Sequence, residues 1–424
     1  MTRRLVVSGG SVLAPDGMRF LREHSVVCDG DRVVAVAAGE VRRSDDTVVD
    51  ATGSFVVPGL IDAHFHLVSR SAEIVDDDVI ALGSIEGVRN AAERLDAGVT
   101  AVRDAGCRHH GIFALARAIE SGVVSGPRTF PAGRNPTGPG APAHWRNVVV
   151  RNADEMRHAV SSQLDSGATW VKCVLSHAED PTEWDTVSQY LGEKELRAAV
   201  GTAHARDARI SVHCEGADIA AMAVRCGVDA LEHAPLLDER TAETMAERGI
   251  AYVPTVWAFS DDSGIDLEGL PPARRARLLR WRAAHLDSVA RAHQAGVVIA
   301  AGSDAAGSLP ARDVLVRELE ALTRAGLDGQ AALASATSSA ARVVGAERQL
   351  GAVLPGCAAD LVVLADDPLR AIAALRTPEI VISRGVVVAG SRAPRPQLPT
   401  RPHVAIESST DRWAASRERA ASGA

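Results

Sequence analysis

The 424-residue chain is nearly devoid of lysine: Lys172 and Lys194 are the only two, and the other 44 of its 46 basic residues are arginine. It also lacks any Cys-x-x-Cys pair. Its six cysteines, Cys28, Cys107, Cys173, Cys214, Cys226 and Cys357, are too scattered for a disulfide framework or a zinc knuckle, which suits a reducing, cytoplasmic compartment. No apolar run approaches the roughly 18 residues of a membrane span, which argues against an integral membrane protein. There is no excess of positive charge either. Forty-six basic against 54 acidic residues give −8, which argues against nucleic acid or an anionic membrane as the main partner. The N-terminal Leu5-Val6-Val7 breaks at Ser8-Gly9-Gly10, short of the roughly 7–15 residues of a signal core, and is read as a first strand.

What is present is a core large enough for one barrel-sized domain with a smaller companion, since apolar residues make up 46% and charged residues 24%. Up to about residue 56, short β runs at 5–7, 25–28, 33–37 and 47–49 alternate with turns such as Asp29-Gly30-Asp31, predicting a small antiparallel sheet. From 57 the rhythm changes to apolar strands alternating with amphipathic helices. Eight strand candidates follow: 55–60 leading into 61–64, 99–103, 128–132, 169–175, 210–213, 230–233, 251–255 and 297–301. Helical stretches lie between them and continue at 314–325 and 329–343. This pattern predicts an α/β fold, a (β/α)8 TIM barrel. The β rhythm returns at 351–356, 359–364, 380–384 and 386–388, so both chain ends are expected to build one small β-sandwich-like domain. The expected organisation is 1–56 and 351–392 for that domain, 57–350 for the barrel, and a Pro- and Arg-rich tail at 393–424.

In such a barrel, chemistry sits at the C-terminal ends of strands. Strand 1 ends in His64-Phe65-His66, whose alternation puts both imidazoles on one face, suited to holding a metal ion. Strands 5 and 6 end at His213 and His233, and strand 8 at Asp304. Singly, each histidine reads as a hydrogen-bonded core residue; jointly, they point to a metal centre. Asp304 can touch a metal, take a proton from water and return it to a leaving group. Lys172 lies mid-strand in Thr169-Trp170-Val171-Lys172-Cys173, where a free ammonium is costly to desolvate. Arginine cannot lose its proton, whereas a neutral lysine amine can add carbon dioxide to give a carbamate that bridges two cations. The competing reading pairs Lys172 with Asp104 or Glu232. Cys173 and Cys214 flank these residues in sequence and are expected to point away from the site, as core thiols.

With these residues in place, the chain resembles the amidohydrolase superfamily, in its imidazolonepropionase-like, Xaa-Pro or Xaa-Arg dipeptidase and ochratoxin-type amidase branch. The stretches that carry the likeness span residues 1–392. They include Val57-Pro58-Gly59-Leu60-Ile61-Asp62-Ala63-His64-Phe65-His66, Gly98-Val99-Thr100, Gly126-Pro127-Arg128, Val171-Lys172, Val212-His213, Glu232-His233, Val253-Pro254-Thr255, Gly302-Ser303-Asp304 and Leu354-Pro355-Gly356. The resemblance implies two divalent metal ions, usually zinc. His64, His66 and Asp304 would hold the inner ion and His213 and His233 the outer, with carboxylated Lys172 and a hydroxide bridging them. That hydroxide would attack an amide carbonyl, and Asp304 would pass its proton to the departing amine.

The loop Gly138-Pro139-Gly140-Ala141-Pro142-Ala143-His144 departs from the Gly-Gly-His-like turn of these relatives. His144 is matched as a substrate contact, with an exposed loop role as the alternative. His109, His110 and His177 read as solvated loop residues. His24, His158, His204, His285, His293 and His403 are given no site role. The expected function is cleavage of a dipeptide or N-acyl amino acid, with cyclic-amide opening, deamination, lactonase or phosphotriesterase activity as alternatives on the same scaffold. A non-catalytic protein with a structural metal is disfavoured, because such sites close with four ligands and this set offers six. The expected partner is a small-molecule substrate, with neither nucleic acid nor membrane, in a homo-oligomer.

Overall fold

The structure, a computed structural model, describes residues 4–68, 77–107, 109–141, 147–178, 187–260, 268–306 and 312–393. Strands from both ends of the chain form one eight-stranded sheet. Its order is Val386–Ala389, Ile380–Ser383, Leu361–Leu364, Phe55–Pro58, Leu5–Leu13, Phe20–Asp29 and Arg32–Ala38, with Thr47–Asp50 also pairing Leu5–Leu13. The sheet is mixed, which corrects the antiparallel expectation. From the far edge at Arg32–Ala38 the chain returns to the opposite side of Leu5–Leu13, so Thr47–Asp50 and then Phe55–Pro58 run parallel to it. Segment 351–356 also departs from expectation. It is a turn rather than a strand, with Gly356 at φ +92° bonding through its N–H to the Val33 carbonyl at 2.8 Å.

The first barrel-type strand begins later than expected, because 55–60 is divided between two sheets. Phe55–Pro58 stays with the mixed sheet, and Leu60–His66 starts a parallel one. Gly59 is the crossing point: a Cβ there would lie 2.0 Å from Thr100 Oγ1, so only glycine lets the chain pass so close.

Two parallel arcs follow. One runs Ala305–Ala306, Leu60–His66, Val99–Asp104, Arg128–Pro131; the other runs Asn147–Val149, Asn135–Thr137, Trp170–Val174, Arg209–Cys214, Ala230–His233, Ala251–Val253. At the seams, Thr169 N–H bonds Pro131 O at 2.9 Å, Tyr252 N–H bonds Val298 O at 2.9 Å, and Ala63 N–H bonds Ala301 O at 2.9 Å. Segment 297–301, expected as a strand, makes only an isolated bridge between Ile299 and Tyr252. It divides its hydrogen bonds between two neighbours, so no continuous ladder forms.

Helices cover the arcs, with starts and stops written in the sequence. Asn152 accepts from Asp154 N–H and Glu155 N–H to open Ala153–Ser166, and left-handed Gly167 closes it. Asp238 caps Glu239–Arg248 through Thr241 N–H. Leu196, Ala199 and Ala203 bury one face of Glu193–His204. Cys173 and Cys214 are fully buried in the strand–helix core, as expected, and burial pushes the Cys173 thiol up to about 12. Among the described residues, no helix is long and apolar enough to cross a membrane.

Candidate metal centre

Strand ends, and Lys172 within the Trp170–Val174 strand, bring His64, His66, Lys172, His233 and the partly exposed Asp304 into one cluster. His64 Nε2 and His66 Nε2 each lie 3.3 Å from Asp304 Oδ1, and Lys172 Nζ lies 2.9 Å from His64 Nε2. His233 Nδ1 is 3.9 Å from Asp304 Oδ2. The rings of His64 and His233 are 5.0 Å apart between centroids, and those of His213 and His233 4.3 Å.

The other face of each imidazole shows which nitrogen is offered inward. His64 Nδ1 donates to Glu232 Oε2 at 2.7 Å, and His66 Nδ1 donates to the Gly106 carbonyl at 2.8 Å. His233 Nδ1 lies 2.7 Å from Thr255 Oγ1. With Nδ1 protonated and held by an outer acceptor, the Nε2 lone pair of His64 and His66 faces the cluster, the arrangement found around metal-binding histidines. The donor set of imidazoles, a carboxylate and a buried lysine therefore fits divalent cations.

A further layer fixes these groups. Arg103 bonds Glu232 Oε1 through Nη2 and the Ala63 carbonyl through Nε at 2.6 Å, while its guanidinium stacks 4.1 Å over the Trp170 ring. Asp104 accepts from Leu67 N–H at 2.8 Å and from Gly106 N–H at 3.2 Å, holding the turn whose carbonyl orients His66. Asp62 accepts from Ser303 Oγ at 2.6 Å and from His64 N–H at 3.2 Å, tying strand 1 to the turn before Asp304.

Electrostatics follow from this packing. Burial alone would raise the Glu232 carboxyl, but Arg103 and His64 hold it well below the usual carboxylate range. Burial likewise opposes ionisation of Asp304, and the surrounding histidines overcome it, holding Asp304 well below its ordinary value. His233 is pushed down by burial and by neighbouring His213. The backbone is strained here too: His233, Ala234, Thr255 and Asp304 are non-glycine residues with φ of +66°, +33°, +54° and +49°. Such conformations cost of order 1–3 kcal/mol each and cluster where geometry serves a site.

The family model described as "Amidohydrolase family" matches residues 55–390. This chain belongs to the amidohydrolase family. An Aspergillus niger ochratoxinase is 27% identical over 420 residues, covering 89% of this chain and 84% of that protein. A solved prolidase complexed with N-methylphosphonate-L-proline is 31% identical, with a TM-score of 0.78 over 91% of this chain and 99% of the other. A solved Xaa-Pro dipeptidase with methionine bound in its active site is 25% identical, with a TM-score of 0.79 and the same coverage. The amidohydrolase assignment makes the chain a metal-dependent hydrolase acting on amide bonds, and its relatives imply a TIM-barrel-like α/β fold.

Within this amidohydrolase, His213 has two further neighbours that the sequence reading did not assign to it. Its Nε2 lies 3.3 Å from Glu215 Oε1 and 3.4 Å from His177 Nδ1. His177, read from the sequence as a solvated loop residue, is half-buried beside His213. His109 is buried as well, accepting from Gly111 N–H at 3.0 Å to open the following helix, whereas His110 is exposed. His285 is buried against Phe259 and Trp281, its pKa depressed to about 4 by burial. His144 and His403 lie outside the described residues.

Sequence reasoning missed Arg103, Thr255 and Glu215, and took Glu232 only as a possible lysine partner. Glu215 had a signal: it is two residues after His213, so the alternation applied to His64 and His66 puts it on the same face.

Proposed function

We propose that this amidohydrolase cleaves the amide bond of a dipeptide or N-acyl amino acid, using two divalent cations, with zinc suited to the nitrogen and oxygen donors. What carries the reading is that His64 and His66 both aim Nε2 at Asp304 while outer acceptors hold Nδ1. In this reading His64, His66 and Asp304 hold one ion, and His213 and His233 reach the other. Lys172, whose Nζ lies 2.9 Å from His64 Nε2, would carry the bridge: its neutral amine would add carbon dioxide, forming a C–N bond and losing a proton to water, and the resulting carbamate would supply oxygen ligands to the cations. Bound cations would polarise the amide carbonyl and lower the pKa of water to about 7.

The chain's own groups do the rest. Arg103 keeps Glu232 ionised, and Glu232 holds the His64 proton on Nδ1. Asp304, ionised at neutral pH, accepts the proton of the attacking water and returns it to the departing amine. We read seven strands of the two parallel arcs, together with segment 297–301, as one closed eight-stranded barrel spanning 57–350, supported by the seam hydrogen bonds at Pro131, Val298 and Ala301. The mixed sheet, with its own apolar cluster around Val7, Val26, Val56 and Val363, supports a companion β domain from 1–56 and 351–392. Six buried thiols suit the cytoplasm.

The test is a screen of dipeptides and N-acyl amino acids with zinc-loaded protein, repeated with Lys172→Ala. The reading expects hydrolysis that the substitution abolishes. Unchanged hydrolysis and zinc content in Lys172→Ala would refute the carbamate, and no turnover of either class would refute the substrate assignment.

A further inference from the structure

Beside the cluster described above, three ligand-type atoms form a nearly equilateral triangle. His177 Nδ1 to His213 Nε2 is 3.4 Å, His177 Nδ1 to Glu215 Oε1 is 3.4 Å, and His213 Nε2 to Glu215 Oε1 is 3.3 Å. A tetrahedral zinc with bonds of about 2.0–2.1 Å separates its ligand atoms by about 3.3–3.4 Å, so the triangle has the dimensions of one face of such a polyhedron.

We propose that in this chain His177 and Glu215 join His213 as ligands of the outer cation. The inference rests on the binuclear reading above and adds to it two ligands from outside the strand-end set. The triangle is built rather than accidental. Ser176–Ala178 pairs antiparallel with Val187–Gln189, which fixes His177 in a hairpin opposite Ser188. Ser176 Oγ donates to the Glu215 carbonyl at 2.9 Å and accepts from Glu215 N–H at 2.9 Å, which binds the hairpin to the end of the Arg209–Cys214 strand. The Glu215 side chain is 1% exposed, so its carboxylate cannot turn out to bulk water and faces both imidazoles.

The experiment is a zinc titration of metal-stripped protein in bicarbonate buffer, read by competition with a chromogenic chelator, on the wild-type chain, His177→Ala and His177→Gln. His177 is 39% exposed on its side chain, so neither substitution is expected to threaten folding. Gln still donates a hydrogen bond to Glu215 but is a poor zinc ligand, which separates coordination from a purely structural contact. The wild type is expected to take up two ions, and both variants to hold the first unchanged while binding the second at least tenfold more weakly. If His177→Gln binds the second ion like wild type, the three groups are only a hydrogen-bond network and the inference is overturned, with the binuclear reading intact. If the wild type takes up fewer than two ions, the binuclear reading fails and the inference falls with it.

Discussion

Replacing Glu318 by glutamine is expected to change how stability depends on pH. Glu318 lies in Val314–Arg324, fully buried, and its Oε2 accepts from Trp257 N–H at 2.7 Å in the 3-10 turn Val256–Phe259, just after Thr255. Its Oε1 has no hydrogen-bond partner among the described residues. Burial, only partly offset by the Trp257 and Val256 N–H groups, pushes this carboxyl up from 4.5 to about 8. At neutral pH the folded protein therefore keeps a proton that the unfolded chain has released. Stability is full below about pH 4.5 and falls as pH rises toward about 8, because the folded state binds more protons across that window. The gap of about 3.5 pH units at 1.36 kcal/mol each sets a ceiling of roughly 5 kcal/mol, which relaxation around the carboxylate will reduce to about 2–4 kcal/mol. Glutamine has the shape of the protonated acid and still accepts from Trp257, but it does not titrate. Urea unfolding of both proteins at fixed zinc, from pH 5 to 8.5, gives the difference directly. The two midpoints should nearly coincide at pH 5, with the variant more stable by about 2–4 kcal/mol at pH 8. Parallel curves for the two proteins would refute the reasoning.

Asp304→Asn keeps the shape but cannot carry a proton, so hydrolysis should fall about 10²–10⁴-fold while the fold, read by circular dichroism, is unchanged. Arg103→Leu leaves Glu232 buried without its guanidinium and should cost about 3–5 kcal/mol in urea unfolding; adding Glu232→Leu should recover part of that loss, and an equally unstable double variant would contradict the pairing argument. In Gly302→Ala, the new methyl meets His64 Cβ at 2.5 Å and Val253 Cγ1 at 2.7 Å. It should displace His64 and weaken zinc binding, with about 1–3 kcal/mol lost in stability, as read by chelator competition and thermal unfolding.

The site was legible where an apolar strand ended on a polar residue, as at His64, His66, His233 and Asp304, or enclosed one, as at Lys172; these five side chains lie together. Features set by close approach were not legible. Nothing in the composition of 55–60 shows that the chain changes sheets at Gly59, because the reason is the Thr100 side chain forty residues away. Segment 297–301 looks like any apolar strand, yet it splits its hydrogen bonds between two neighbours. His177 read as solvated because its setting depends on a hairpin closed by Val187–Gln189 and on Ser176 bonding to Glu215, pairings no local pattern reveals. Glu232 and Arg103 were visible as residues, but their relay to His64 spans strands distant in sequence.

The most direct test of the account is an anomalous-difference map from crystals of the protein grown with zinc and bicarbonate. Two zinc peaks are expected, one among His64, His66 and Asp304 and one beside His213, with electron density continuing past Lys172 Nζ between them. A single peak, or density that stops at the lysine nitrogen, would contradict it.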